Sequence, residues 1–172
     1  MTNDQLTILQ NMPIFGGLKK RTLEYLLERS KVKSFAAGNL LFREGDHGDS
    51  VYVVKSGVVE VVKEFNSRAY SLARLTKGDC VGEMEFIDPS QRNASVVAIE
   101  DVQTIILPRK AIFDLYRHDL EQFTIIQMNL GREVSRRLRE ADDKLFKEHV
   151  KAERLQELVG HRHLFAKNDR RT

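Results

Sequence analysis

The sequence predicts an α+β chain: short antiparallel strands closed into a sandwich or barrel, N-terminal helices before them and one long helix after. Three observations carry this. Short runs rich in Val, Ile and Leu recur at even spacing between residues 32 and 107. Gly, Asp and Asn punctuate them, as turns between strands require. On either side, the apolar period changes to that of a helix. The implied organisation is N-terminal helices over 1–31, a strand domain over 32–108, a short and a long helix over 109–160, and a basic tail over 161–172.

Residues 3–12 and 18–30 are predicted helices. In the second, Leu18, Leu23, Leu26 and Leu27 can share one face with charges opposite. "PIFGG" between the two is a turn. The strand runs are "LLF", "VYVV", "VVEVV", "YSLARL", "SVVAI" and "VQTIIL". They are separated by turn signals at Gly38, "EGDHGD", "SG" at 56–57, "NS" at 66–67 and "KGD" at 77–79. The glycines of "EGDHGD" are expected at backbone angles that other residues disfavour. "RKAIFDLYRHD" makes a short helix, and 120 to about 159 a long one. Its apolar residues step by three or four through Ile126, Leu130, Val134, Leu138, Ala141 and Leu145. A helix of about 40 residues runs to about 60 Å, too long to bury along one small barrel. Its second half needs a partner, and a second copy across a two-fold axis is the simplest. Folding back on the same domain is the alternative.

Composition narrows the class. The 172 residues are 41% hydrophobic and 31% charged, enough for a core and a solvated surface. No run approaches the roughly 20 apolar residues of a membrane span, and "MTNDQLTILQNMPIF" carries no signal-peptide pattern. The lone Cys80 excludes an internal disulfide and fits a reducing cytoplasm. The net charge of +3 lies wholly in "HRHLFAKNDRRT", where Arg162, Lys167, Arg170 and Arg171 face only Asp169. Residues 1–160 are neutral, so the domain gives no electrostatic reason to bind nucleic acid. The tail is expected to be a frayed, solvated terminus.

The chemistry concentrates in "DCVGEMEFIDPSQRNASVV", residues 79–97. An ionised Glu only accepts hydrogen bonds and suits vicinal hydroxyls. An Arg offers a planar fork matching a phosphate's oxygens. Between Glu83 and Arg92, "MEFIDP" can form one helical turn whose free N–H groups favour an anion. Gly82 lets backbone approach closely, while Asn93 and Ser95 add side-chain donors. Together these describe a sugar-phosphate pocket; a strand end, a turn and two surface charges would give the same spacing.

"VGEMEFIDPSQRNASV" resembles the phosphate-binding cassette of cyclic nucleotide-binding domains. "FAAGNLLFREGDHGDSVYVVKSGVVEVV" is similar to that family's glycine-and-aspartate turns in order and spacing. The likeness spans about residues 12–145. It implies an antiparallel double-stranded β-roll (jelly-roll) with the cassette at 79–97 and a C-terminal helix closing over the base. It implies a ligand-binding set of Gly82, Glu83, Met84, Arg92, Asn93 and Ala94. Gly82 and Glu83 would take the ribose 2′-hydroxyl, and Arg92 the cyclic phosphate, helped by backbone amides near Asn93 and Ala94. Alignment with the catabolite-activator branch places Ala141 and Asp142 where a Thr-Ser pair meets adenine. Asp142 can accept from an adenine amino group, though a solvated helix carboxylate gives the same residue.

The departures from the family pattern matter as much. Val81 replaces Phe, and Gln91 stands where Pro often precedes the Arg. Glu85 occupies a position commonly Ala or Gly; turned inward it would oppose the phosphate, so it is expected to face solvent. Asn93 does not settle the base. No helix-turn-helix follows the long helix; if complete, the chain is a sensor or dimer module without its own output. The expectation is therefore a non-enzymatic, cytoplasmic regulatory domain that binds a cyclic nucleotide, cAMP before cGMP, and pairs as a homodimer through the long helix. It would hand its signal to an unknown downstream protein, with no cofactor, metal or membrane, and without DNA. A scaffold that has lost its ligand is the alternative. A metal-dependent β-roll enzyme is disfavoured because His47 is the barrel's one histidine; "HRH" at 161–163 has ligand spacing but no further ligands.

Overall fold

The structure, a computed structural model, describes residues 3–88 and 90–168, with side chains to residue 156. It forms two compact units, Met1–Glu133 and Val134–Thr172. In the first, α1 (Asn3–Asn11), a 3₁₀ turn (Pro13–Phe15) and α2 (Lys20–Glu28) precede eight strands. These are β1 (Lys31–Phe35), β2 (Leu40–Phe42), β3 (Ser50–Ser56), β4 (Val59–Phe65), β5 (Arg68–Leu75), β6 (Cys80–Val81), β7 (Ser95–Ala98) and β8 (Val102–Pro108). A second 3₁₀ turn, Met84–Phe86, lies between β6 and β7; α3 (Arg109–His118) and α4 (Leu120–Asn168) follow β8. The strands form two four-stranded antiparallel sheets, ordered β1-β8-β3-β6 and β2-β7-β4-β5.

The first sheet is covered on both faces, which explains why "VYVV" and "TIIL" are continuous apolar runs and not alternating ones. Val51, Val53, Ile105 and Leu107 enter a core with Leu9, Phe15, Leu23, Leu26 and Ile126. Val54, Val81 and Val102 turn the other way and meet Leu41, Val59 and Val96 between the sheets. β1 was not signalled by any apolar run: Lys31 through Ser34 are exposed and only Phe35 is buried. It forms because β8 offers it a full antiparallel register, Lys31 opposite Ile106 to Phe35 opposite Val102. β5 is an edge strand with every residue but Leu75 exposed.

Two buried amides fasten the start of α4 to the N-terminal helices. Gln122 Oε1 accepts from the Lys19 backbone N–H at 2.7 Å and from Thr22 Oγ1 at 3.2 Å, so it caps the start of α2 from outside that helix. Asn129 Nδ2 donates to the carbonyls of Ile14 and Gly16 at 3.3 and 2.8 Å. Asn129→Ala should lower stability by about 1–3 kcal/mol, because two carbonyls lose their donor in a part-buried place. Urea denaturation checks this; an unchanged midpoint would mean water replaces the amide.

In the second unit, α4 continues past the predicted end near 159 to Asn168. Gly160 costs a helix only about 1 kcal/mol, and "HRHLFAK" contains no proline to stop it. The helix therefore takes in 161–168 of the basic tail, and residues 169–172 lie outside the described ones. Leu138, Leu145, Phe146 and Leu155 are exposed along this part of the helix. No helix among the described residues is long and apolar enough to cross a membrane.

Candidate functional site

The two motifs singled out in the sequence meet in space. Arg92 donates its backbone N–H to the carbonyl of Asp46 at 2.8 Å, and Gly45 donates to the carbonyl of Arg92 at 2.9 Å. His47 and Gln91 form an isolated antiparallel bridge between the same segments. The turn at 45–47 is closed by its own aspartate, since Asp46 Oδ2 accepts from the Arg43 N–H at 2.8 Å. Gly45 has φ +85°, as its turn demands, but Gly48 does not share that conformation. Gly48 is required by crowding instead: a Cβ there would lie 2.5 Å from Glu85 Cγ.

Arg92 is the centre of the site. It is 3% exposed, the one fully buried cation among the described residues. Nη2 donates to the Ser50 carbonyl at 2.7 Å, and Nη1 to the Gly82 carbonyl at 3.3 Å and to Glu85 Oε2 at 2.8 Å. Nε is buried and has no acceptor among the described residues. The guanidinium stacks 4.2 Å from the centre of the Phe42 ring and 5.8 Å from that of Tyr52, contacts worth more once desolvated. Burial pushes the Tyr52 phenol above its ordinary pKa, with the Arg92 charge opposing. Gly82, with φ +80°, closes the pocket from β6; a Cβ there would fall 2.1 Å from Arg92 Nη1.

Glu83 precedes the 3₁₀ turn Met84–Phe86 and is 1% exposed. The structure therefore sets Gly82 directly against the buried Arg92, and places the buried Glu83 next in the chain, between β6 and the 3₁₀ turn. Met84 is exposed at 45%, and Ala94 is buried just before β7. Asn93 is exposed, its Oδ1 accepting from Lys63 Nζ at 3.3 Å, and Ser95 Oγ accepts from the Glu44 N–H at 2.9 Å. Both side chains thus serve as acceptors toward protein groups where donors were expected. Asp142 belongs to the second unit and is exposed on α4.

One expectation is overturned. Glu85 does not face solvent; it is 5% exposed and turned inward onto Arg92. Its reason is electrostatic. A buried guanidinium without a counter-charge is costly, and an inward carboxylate with a good hydrogen bond offsets that cost. Ser50, Phe42 and Tyr52 were not singled out in the sequence, and Gly48 was read only as a turn glycine. Each lies forty to fifty positions before Arg92, so only the closed sheet places it there; the apolar context of "LLF" and "SVYVV" was the one available signal.

Among the described residues no cluster of three or more His, Cys, Asp or Glu could hold a metal ion. The side chains of His161 and His163 lie outside those residues. Cys80 is buried in β6, within the core under the helices.

Comparison with known proteins identifies the family of the fold. The family model described as the cyclic nucleotide-binding domain matches residues 32–119. The chain is 32% identical over 135 residues to the Cyclic AMP receptor protein of Thermus thermophilus, covering 78% of this chain and 61% of that protein. It is 34% identical over 92 residues to the cAMP-dependent protein kinase regulatory subunit of Schizosaccharomyces pombe, covering 54% of this chain and 22% of that one. A cyclic nucleotide-binding domain from Methylobacillus flagellatus superposes with a TM-score of 0.74 at 26% identity, covering 84% of this chain and 82% of that one. The chain thus spans about three fifths of the length of the first of these relatives.

Proposed function

Because the chain belongs to the cyclic nucleotide-binding domain family, we propose that it is a regulatory sensor module that binds a cyclic nucleotide, cAMP in preference to cGMP. The observation that carries this is the buried Arg92 guanidinium. Two backbone carbonyls and two aromatic rings hold it in place, and Gly82 brings the backbone against it. Such a preorganised fork suits a cyclic phosphate. In this reading Arg92 takes the phosphate, and Gly82 with Glu83 takes the ribose 2′-hydroxyl. Met84, Asn93 and Ala94 line the cassette. The preference for cAMP is supported by the names of the relatives in Thermus and Schizosaccharomyces.

The exposed leucines of α4 supply an apolar stripe that a second copy can cover, so the working form is a homodimer. Binding would favour one placement of that helix over another in proportion to its differential affinity for the two. A downstream protein would then recognise the altered surface. Calorimetric titration of the full chain with cAMP and then cGMP tests the ligand, with sedimentation of the same sample testing the dimer. Tighter binding of cAMP by a dimer is expected. Heat from neither nucleotide, in folded protein freed of ligand, would leave the second reading, a dimer scaffold without ligand. That reading is favoured by one observation, the carboxylate already resting on Arg92.

A further inference from the structure

Glu85 has no part in the ligand set just proposed, and the inference here rests on that reading of Arg92 as the anion-binding group. Both N–H groups of Nη1 are engaged, one by Glu85 Oε2 at 2.8 Å and one by the Gly82 carbonyl. The pair is shut away from water, with side-chain exposures of 2% for Arg92 and 6% for Glu85. An anion that takes a hydrogen bond from Nη1 must therefore compete with a carboxylate already in place. That carboxylate is covalently tethered, so its effective concentration is high and constant.

The surroundings are built for the carboxylate's inward position and also offer it a way out. Gly48 leaves the space: a Cβ at that position would meet Glu85 Cγ at 2.5 Å, Cβ at 3.0 Å and Cδ at 3.1 Å. The 3₁₀ turn that carries Glu85 has an exposed side, where Met84 and Ile87 are 45% and 48% accessible.

We propose that Glu85 is a tethered competitor for the phosphate of the ligand and sets the affinity and selectivity of the site. Resting on Arg92 it neutralises the guanidinium; a ligand binds only with the carboxylate displaced. Small free anions such as inorganic phosphate do not displace it, because they bring no sugar or base contacts to compensate. A cyclic nucleotide does, and selectivity arises from that difference.

The test uses the full chain and four variants: Glu85→Ala, Glu85→Gln, Gly48→Ala, and Glu85→Ala combined with Arg92→Ala. Gly48→Ala keeps the carboxylate but fills its space, so it reaches the same end by a separate route. Calorimetry with cAMP should show Glu85→Ala and Gly48→Ala binding on the order of tenfold to a hundredfold tighter than the parent, the equivalent of freeing one charge-assisted hydrogen bond. Glu85→Gln should fall between, and it carries the test together with Gly48→Ala if Glu85→Ala does not fold. Inorganic phosphate should raise the melting temperature of Glu85→Ala and leave the parent unmoved.

Parent-like affinity in Glu85→Ala and Gly48→Ala would overturn the competitor role and leave the cyclic-nucleotide reading standing. If no form binds a cyclic nucleotide, that reading fails and the phosphate arm decides alone. Stabilisation of Glu85→Ala that disappears when Arg92 is also replaced supports the competitor; its absence overturns it.

Discussion

Arg92→Ala is expected to eliminate cyclic-nucleotide binding and to lower the unfolding free energy by about 3–5 kcal/mol, the cost of stripping a buried carboxylate of its partner. The sequence by itself suggests a clean loss of binding with the fold unaffected. The burial of Arg92 and Glu85 at 3% and 5% exposure adds the second consequence. Two effects must then be separated. With both Arg92 and Glu85 replaced by Ala, the stranded charge is gone, and much of the stability should return while binding stays absent. Urea denaturation and calorimetry on the three proteins measure this. Retained nucleotide affinity in either variant would remove Arg92 from the site. A double variant no more stable than Arg92→Ala would show that the loss lies in the Phe42 and Tyr52 stacking and not in the ion pair.

Gly82→Ala should be nearly as damaging to binding, for a different reason. At φ +80° a side chain carries about 1–2 kcal/mol of backbone strain. The added Cβ would also stand 2.1 Å from Arg92 Nη1 and 3.0 Å from the Ser50 carbonyl. The guanidinium must leave its carbonyl partners, and affinity should fall by at least about a hundredfold, the equivalent of losing one to two charge-assisted hydrogen bonds. Gly45→Ala is the control. It has a similar φ of +85° but nothing within 4 Å of the added atom, so it carries the strain without the collision. Comparable losses of affinity in the two variants would mean that turn geometry, and not the contact with Arg92, is what Gly82 supplies.

The architecture was largely legible because its signals are local. Runs such as "VVEVV" and "VQTIIL", and the change of period after "LPRK", mark elements without reference to anything distant. β1 was not legible: its outward lysines carry no strand pattern, and its identity comes from pairing with β8, some seventy residues on. The same division holds at the site. Gly82, Glu83 and Arg92 lie within one short stretch and could be picked out by residue chemistry. The aromatic faces of Phe42 and Tyr52, and the carbonyl of Ser50, reach Arg92 only through closure of the sheets. Glu85 was misjudged because a carboxylate beside a phosphate site argues for exposure when the ligand is assumed present. A buried guanidinium without a counter-charge is the larger penalty, and it draws the carboxylate inward.

The close approach of Glu85 to Gly48 ties two positions that lie 37 residues apart into a single unit of inheritance. A descendant that gained a side chain at 48 first would expel the carboxylate, whereas one that shortened residue 85 first would leave a gap that a methyl at 48 could then fill. The two orders are not equivalent, since each passes through a different intermediate. Related chains should therefore keep glycine at the first position wherever the second is acidic, and admit larger residues at the first only where the second is small.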